Sequence, residues 1–240
     1  MSTKSLNPIG YCGKVPSKGD FVQHNLSADF IKSWSEWQQA VVAVSKEQIP
    51  QCWLDCYLTS PVWHFALSAG VCSDFAMCGT MIPSVDNVGR HFPFTLAAQH
   101  RLSPLAIWHH SADWAPSFQQ AILETLEDDC QLEPWLAKLI DRIDFATAPE
   151  NLHINDQHVD LVKKSWVFQG REGIAADHLL HRYYQQHFGR YSIWWTEGSQ
   201  WVSPCFIVCE GLPEVSQFVS MLNGQWAERD WNVARVTEKQ

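Results

Sequence analysis

Gly13-Lys14 is the kind of pair on which a phosphate-binding loop ends, its backbone N–H groups cradling phosphates and its lysine reaching over them. That chemistry also needs a glycine five residues earlier and a Ser or Thr afterwards to hold magnesium. Pro8 and Val15 stand there instead, so cradle and metal hydroxyl are both missing. Cys52 with Cys56, and Cys205 with Cys209, are four apart and could align thiols. Structural zinc takes tighter paired spacings, and these pairs sit among Trp53, Leu54, Phe206 and Val208, so they read as core thiols and no metal or cofactor is expected. His178 and His181, with His187 beyond, lack the intervening glutamate that activates a metal-bound water, and read as surface histidines on a helix. Ser84, Asp86 and His91 are the residue types of a nucleophile triad, but they lie too close within one loop to converge. No Gly-x-Ser-x-Gly elbow occurs either, and no catalytic residue is assigned.

Two turn-rich segments keep their charge beside apolar strands. The first is Val15-Pro16-Ser17-Lys18-Gly19-Asp20, preceded by Lys14; the second is Pro83-Ser84-Val85-Asp86-Asn87-Val88-Gly89-Arg90. Pro16, Gly19, Pro83 and Gly89 are turn residues, while Lys14, Lys18, Asp20, Asp86 and Arg90 carry the charge. One reading makes these ion pairs that lock two crossing loops at a sheet end. Another makes them a recognition surface on a rigid scaffold. A third pairs Asp20 with Asp86 as acid and base of a small hydrolase. The sequence does not choose among them.

The elements that must hold these loops can be traced from periodicity. Ile9 to Lys14 reads as a short strand. Ser27 can cap a helix over 28–46, with Asp29 in its first turn and Phe30, Trp34, Trp37, Val41 and Val44 on one face. A short helical piece near 50–57 is followed by strands over 62–69, 75–82 and 92–97, the first two apolar on both faces and therefore covered on both sides. Helices are predicted over 114–127, 132–143 and 172–187, and strands over 165–168, 191–196 and 201–208. A last helix is expected to begin at Pro213. The fold class is α/β: a mixed β-sheet with helices on both faces, a three-layer sandwich, in one domain over 1–240 with a candidate loop or linker at 146–160.

Composition narrows the partners. The 240 residues hold 17 Lys and Arg against 26 Asp and Glu, a net charge of −9, and no basic run exceeds Lys163-Lys164. Nucleic acid and anionic membrane surfaces are therefore poor partners. The N-terminus has no apolar core or cleavage site of a secretory signal. The uncharged stretch from Cys56 to Ser73 is interrupted by Thr59, Ser60, Pro61 and His64, and reads as buried strand rather than membrane span. Eight cysteines in a chain expected to be cytoplasmic read as reduced thiols.

The two charged segments also carry a resemblance. Gly10-Tyr11-Cys12-Gly13-Lys14-Val15-Pro16-Ser17-Lys18-Gly19-Asp20-Phe21-Val22, followed by residues 30–37, resembles the N-terminal signature of the TagF family, accessory proteins of type VI secretion. Residues 83–93, Pro-Ser-Val-Asp-Asn-Val-Gly-Arg-His-Phe-Pro, resemble that family's second signature. Ser192-Ile193-Trp194-Trp195-Thr196-Glu197-Gly198 and Gly211-Leu212-Pro213 are also similar; Cys12 departs from the bulkier residue expected. The resemblance implies a non-enzymatic, post-translational repressor that binds the forkhead-associated scaffold protein of the secretion system. Some relatives are fused to a metal-dependent phosphatase, for which this chain has neither the length nor the acidic motifs. The alternatives are the small hydrolase and a purely structural adaptor. A docking protein needs aromatic anchors. Of thirteen tryptophans, Trp194 and Trp195 are neighbours in a strand and must point to opposite sides, leaving one as a candidate outward-facing anchor.

Overall fold

The structure is a computed structural model and describes residues 9–143 and 176–234. The linker at 146–160, the strand at 165–168 and the first turn of the helix expected from Glu172 lie outside the described residues. Among the described residues seven strands form one sheet: β1 (Ile9–Gly13), β2 (Val22–His24), β3 (Trp63–Leu67), β4 (Ala76–Ile82), β5 (Phe94–His100), β6 (Tyr191–Thr196) and β7 (Cys205–Glu210). Their spatial order is β2-β1-β5-β4-β3-β6-β7.

Every pairing among them is antiparallel, which corrects the mixed sheet expected from the sequence. The reason lies in the connections. β1 to β2, β3 to β4, β4 to β5 and β6 to β7 are each joined by loops too short for the crossover that parallel neighbours need. Apolar residues on both faces of a strand report that both faces are covered, and say nothing of strand direction.

The helices are α1 (Ala28–Gln48), α2 (Trp53–Leu58), α3 (Pro104–His109), α4 (Ser111–Glu124), α5 (Leu132–Arg142), α6 (Ala176–Phe188) and α7 (Val219–Asn223), with a 3-10 turn at Trp226–Glu228. α1 begins as its sequence requires: the Ser27 hydroxyl accepts from the Phe30 N–H at 3.3 Å, and Phe30, Trp34, Trp37 and Val41 are buried along one face. Successive strand residues divide between two apolar clusters, as the two-residue period dictates. One holds Tyr11, Phe94, Leu96, Ile193 and Trp195 with residues of α3, α4 and α5. The other holds Cys12, Phe65, Met77 and Trp194 with residues of α1, α2 and α7.

Several ends shift by one to three residues, β2 is an added strand, and three departures are larger. α3 precedes α4, started by Ser103, whose hydroxyl caps Ala106 N–H at 3.2 Å, and by Pro104 in its first turn. β7 begins at Cys205 rather than Trp201, because residues 197–204 turn back on themselves, Ser199 N–H donating to Val202 O at 2.8 Å. Pro213 starts no helix; its carbonyl instead accepts from the Trp37 indole at 2.8 Å, and α7 begins at Val219. No helix among the described residues is long and apolar enough to cross a membrane.

Candidate functional site

β1 and β5 are antiparallel neighbours, Cys12 lying opposite Thr95, so the chain leaving β1 and the chain entering β5 meet at one end of the sheet. That places the two charged loops side by side. At the exit of β1, Gly13 has φ +133°, and a Cβ there would run into the Pro93 carbonyl and the Phe94 Cα; only glycine lets the strands close so tightly. Lys14 follows directly, and Lys18 N–H closes a turn onto Val15 O at 3.1 Å.

The second loop is a small hairpin. Val85 bridges His91, Asp86 N–H donates to Arg90 O at 3.1 Å, and Phe92 N–H donates to Ser84 O at 3.1 Å. At its tip Gly89 has φ +86° with no atom within 4 Å of a would-be Cβ, so this glycine is required by conformation and not by space. Besides its ion pairs, two contacts join this hairpin to the first loop: Asn87 N–H donates to Lys18 O at 3.1 Å, and the Phe21 and Phe92 rings meet edge to face at 5.5 Å.

At the junction sits Asp86, its side chain wholly buried. Oδ2 accepts from Lys14 Nζ and from Arg90 Nε, each at 2.7 Å. Oδ1 accepts from the N–H groups of Arg90, at 2.8 Å, and Val88, at 3.1 Å. Burial pushes this carboxyl up, but the Lys14 hydrogen bond, the Arg90 N–H and guanidinium and the Val88 N–H more than reverse it, holding the group below the usual carboxylate range. Arg90 reaches on to hydrogen-bond Gly19 O, and its Nη2 lies 3.9 Å from the exposed carboxylate of Asp20.

The hairpin is anchored from behind by a residue that spacing did not single out. The Tyr57 hydroxyl, on α2, donates to Ser84 O at 2.9 Å and accepts from Ser84 N–H at 3.1 Å. Trp53 stacks on Tyr57, and the His91 ring stands edge-on to both. Tyr57 lies 27 residues from Ser84, and nothing in the linear pattern joins them; its only signal was a polar tip among apolar neighbours.

Of the expected site residues, Lys14, Gly19, Asp20, Asp86 and Arg90 come together. Pro16 and Pro83 shape the loop bases and are half-buried, and Lys18 is exposed and contributes its carbonyl. Ser84 is buried with a hydroxyl that finds no partner among the described residues, so Ser84, Asp86 and His91 form no relay. Trp194 and Trp195 lie elsewhere, and the outward-facing anchor is corrected. They do point to opposite sides, but β6 is flanked by β3 and β7 and packed on both faces, so both indoles are buried.

Chemically, the corner is a saturated ion triad. Asp86 has each oxygen committed to two donors and is held ionised, so it has no proton to give at neutral pH. What faces solvent is a mixed rim of Asp20, Arg90, Val88 and Phe21.

A family model described as the TagF N-terminal domain, type VI secretion system-associated, matches residues 10–141, a span that contains both loops. Among solved structures, the crystal structure of PA0076 from Pseudomonas aeruginosa PAO1 is similar to this chain, with a TM-score of 0.75 and 25% identity, over 97% of this chain and 100% of that one. No curated protein matches.

Proposed function

The chain belongs to the family of TagF N-terminal domains associated with type VI secretion, and from that premise we propose that it is a cytoplasmic, non-enzymatic repressor. It acts after translation by binding the forkhead-associated scaffold protein of the secretion system. The observation that carries the reading is the saturation of Asp86. A carboxylate with four donors at 2.7–3.1 Å fixes the shape of two loops and is poorly suited to shuttle protons. The Arg90–Asp86 pairing occupies the place where an Asp20–Asp86 hydrolase would need a shared proton, which favours docking over that alternative. We read the two apolar clusters as the seams of a three-layer sandwich, a stiff body that presents the corner without moving it. We read the exposed Val88 tip, the exposed Phe21 ring packed on Phe92, and the Asp20–Arg90 pair on the same two loops as the apolar and charged parts of a recognition surface.

The test is co-purification of that scaffold protein with the wild-type chain and with Val88→Asp and Arg90→Ala, each checked for an unchanged far-UV spectrum. The expected result is capture by wild type and at least about tenfold weaker capture by Val88→Asp, whose side chain contributes nothing to the ion triad. Reproducible absence of any secretion component from the wild-type sample overturns the reading.

A further inference from the structure

β7 is an outermost strand of the sheet, and its far edge is open among the described residues. Which peptide groups face outward follows from hydrogen-bond phase. Gly211 N–H donates to Arg190 O at 2.8 Å, one residue beyond the Tyr191–Glu210 end of the β6–β7 register, so 190 and 211 are a hydrogen-bonded pair. Antiparallel pairs alternate, so Cys205, Ile207 and Cys209 turn their N–H and C=O groups toward β6. Phe206, Val208 and Glu210 therefore turn theirs outward. On the β3 side of β6 the same phase recurs: Ser68 N–H donates to Tyr191 O at 2.9 Å.

This edge has few of the features that usually protect one. Six residues pair with β6 without a bulge, none of them is Lys, Arg or Pro, and Glu210 is the sole charge. Phe206 is 42% exposed and lies against Trp108 of α3, itself 39% exposed, with ring centres 4.8 Å apart.

We propose that the outer edge of β7 pairs with β7 of a second copy of this chain, in antiparallel register about a two-fold axis through Val208. The outward set is self-complementary about that residue. Val208 meets Val208 of the other copy and Phe206 meets its Glu210, so all three outward residues on each chain find an outward partner. The register also sets each Glu210 opposite a phenylalanine instead of the other Glu210, which separates the like charges of two chains that each carry −9. A two-fold interface of this kind is closed and stops at two copies. A strand pair with one aromatic patch is smaller than the ~1,600 Å² of a standard interface, so the dimer is expected to be weak, with Kd on the order of 1–100 μM.

Sedimentation of the full chain from ~1 to ~300 μM reads the weight-average mass, which is expected to rise from one chain toward two over the range set by that Kd. Val208→Pro deletes an N–H that β6 does not use, a placement that edge strands tolerate. It is expected to keep the far-UV spectrum and weaken the dimer by about 30-fold or more. Phe206→Lys gives up the contact with Trp108 but leaves every β6–β7 hydrogen bond in place, and is expected to weaken the dimer by about tenfold or more, so it decides the matter should the proline variant not fold. Wild type at single-chain mass throughout overturns the proposal. So does a dimer whose Kd changes less than about threefold in the folded variants, which places the contact elsewhere.

Discussion

Replacing Asp86 by asparagine separates shape from charge at the corner. The amide keeps the oxygen that accepts from the Arg90 and Val88 N–H groups, but it sets an NH2 group where Oδ2 stood, 2.7 Å from both Lys14 Nζ and Arg90 Nε. Donor then faces donor. The Arg90 side chain is 57% exposed and can turn to water, whereas that of Lys14 is 15% exposed and loses its partner in place. Hydrogen bonds to charged groups are worth about 1.5–3 kcal/mol each, so with Arg90 partly recovered the loss is about 3–4 kcal/mol. That corresponds to a melting point lower by about 6–16 °C in a chain of this size. Lys14→Met leaves Asp86 its three other donors and is expected to cost about 1–2 kcal/mol. Because both changes break the same contact, the double variant should lose about 2 kcal/mol less than the sum. Urea unfolding of the four proteins, with m unchanged, measures the cycle. Additivity within about 0.5 kcal/mol, or an Asp86→Asn loss under about 1 kcal/mol, refutes the account of the corner as one cooperative triad.

Acid should act in two separate windows. His64, buried between Thr80 and Gln119, has its pKa lowered to about 4 by burial, with the Gln119 hydrogen bond partly opposing. The unfolded chain takes up that proton near pH 6.5, so the His64 contribution is full above pH 6.5 and falls by on the order of 3 kcal/mol down to pH 4; His100, also lowered to about 4 by burial, titrates in the same window, so His64→Gln should reduce the slope and leave the His100 share. The depressed pKa of Asp86 works lower: its contribution is full above about pH 4 and is lost only as pH falls toward the folded value, so His64→Gln leaves that later loss intact. Trp194→Ala and Trp195→Ala should each cost about 3–5 kcal/mol in unfolding experiments, since both rings are core. Gly13→Ala should unfold the chain or lower its melting point by more than about 10 °C, because the Pro93 carbonyl blocks the new Cβ; Gly89→Ala should cost about 1–2 kcal/mol, for φ alone.

What the sequence revealed, and what it hid, follows from the range of each interaction. α1 was legible because its cap and its buried face are all local, spaced by three and four. The corner was legible only as a set of residues: charged side chains immediately after apolar strands need partners, but the sequence left ion pair, recognition surface and acid–base pair open, and the grouping of Lys14, Asp86 and Arg90 around one carboxylate depends on contacts 72 residues apart. Strand direction was not legible, since burial sets composition while loop length and topology set direction. Tyr57 was hidden because its two hydrogen bonds to Ser84 cross space between elements. The two adjacent tryptophans show the limit most clearly. Alternation fixes that they diverge, but whether either side lies open depends on α1 and α4, laid down far away in the chain.

The order of the strands has a consequence for synthesis. β1 to β5 are complete by His100, yet β3 has its second neighbour only when β6 ends at Thr196. At about 5–20 residues per second, the ~96 residues between take the ribosome roughly 5–20 s. During that interval the nascent chain carries a five-strand sheet with the Trp63-to-Leu67 strand unpaired on one side and without the indole of Trp194, which packs against both Trp34 and Phe65. A chaperone that shelters growing chains would be needed most in those seconds, and slow codons between 100 and 190 would lengthen them.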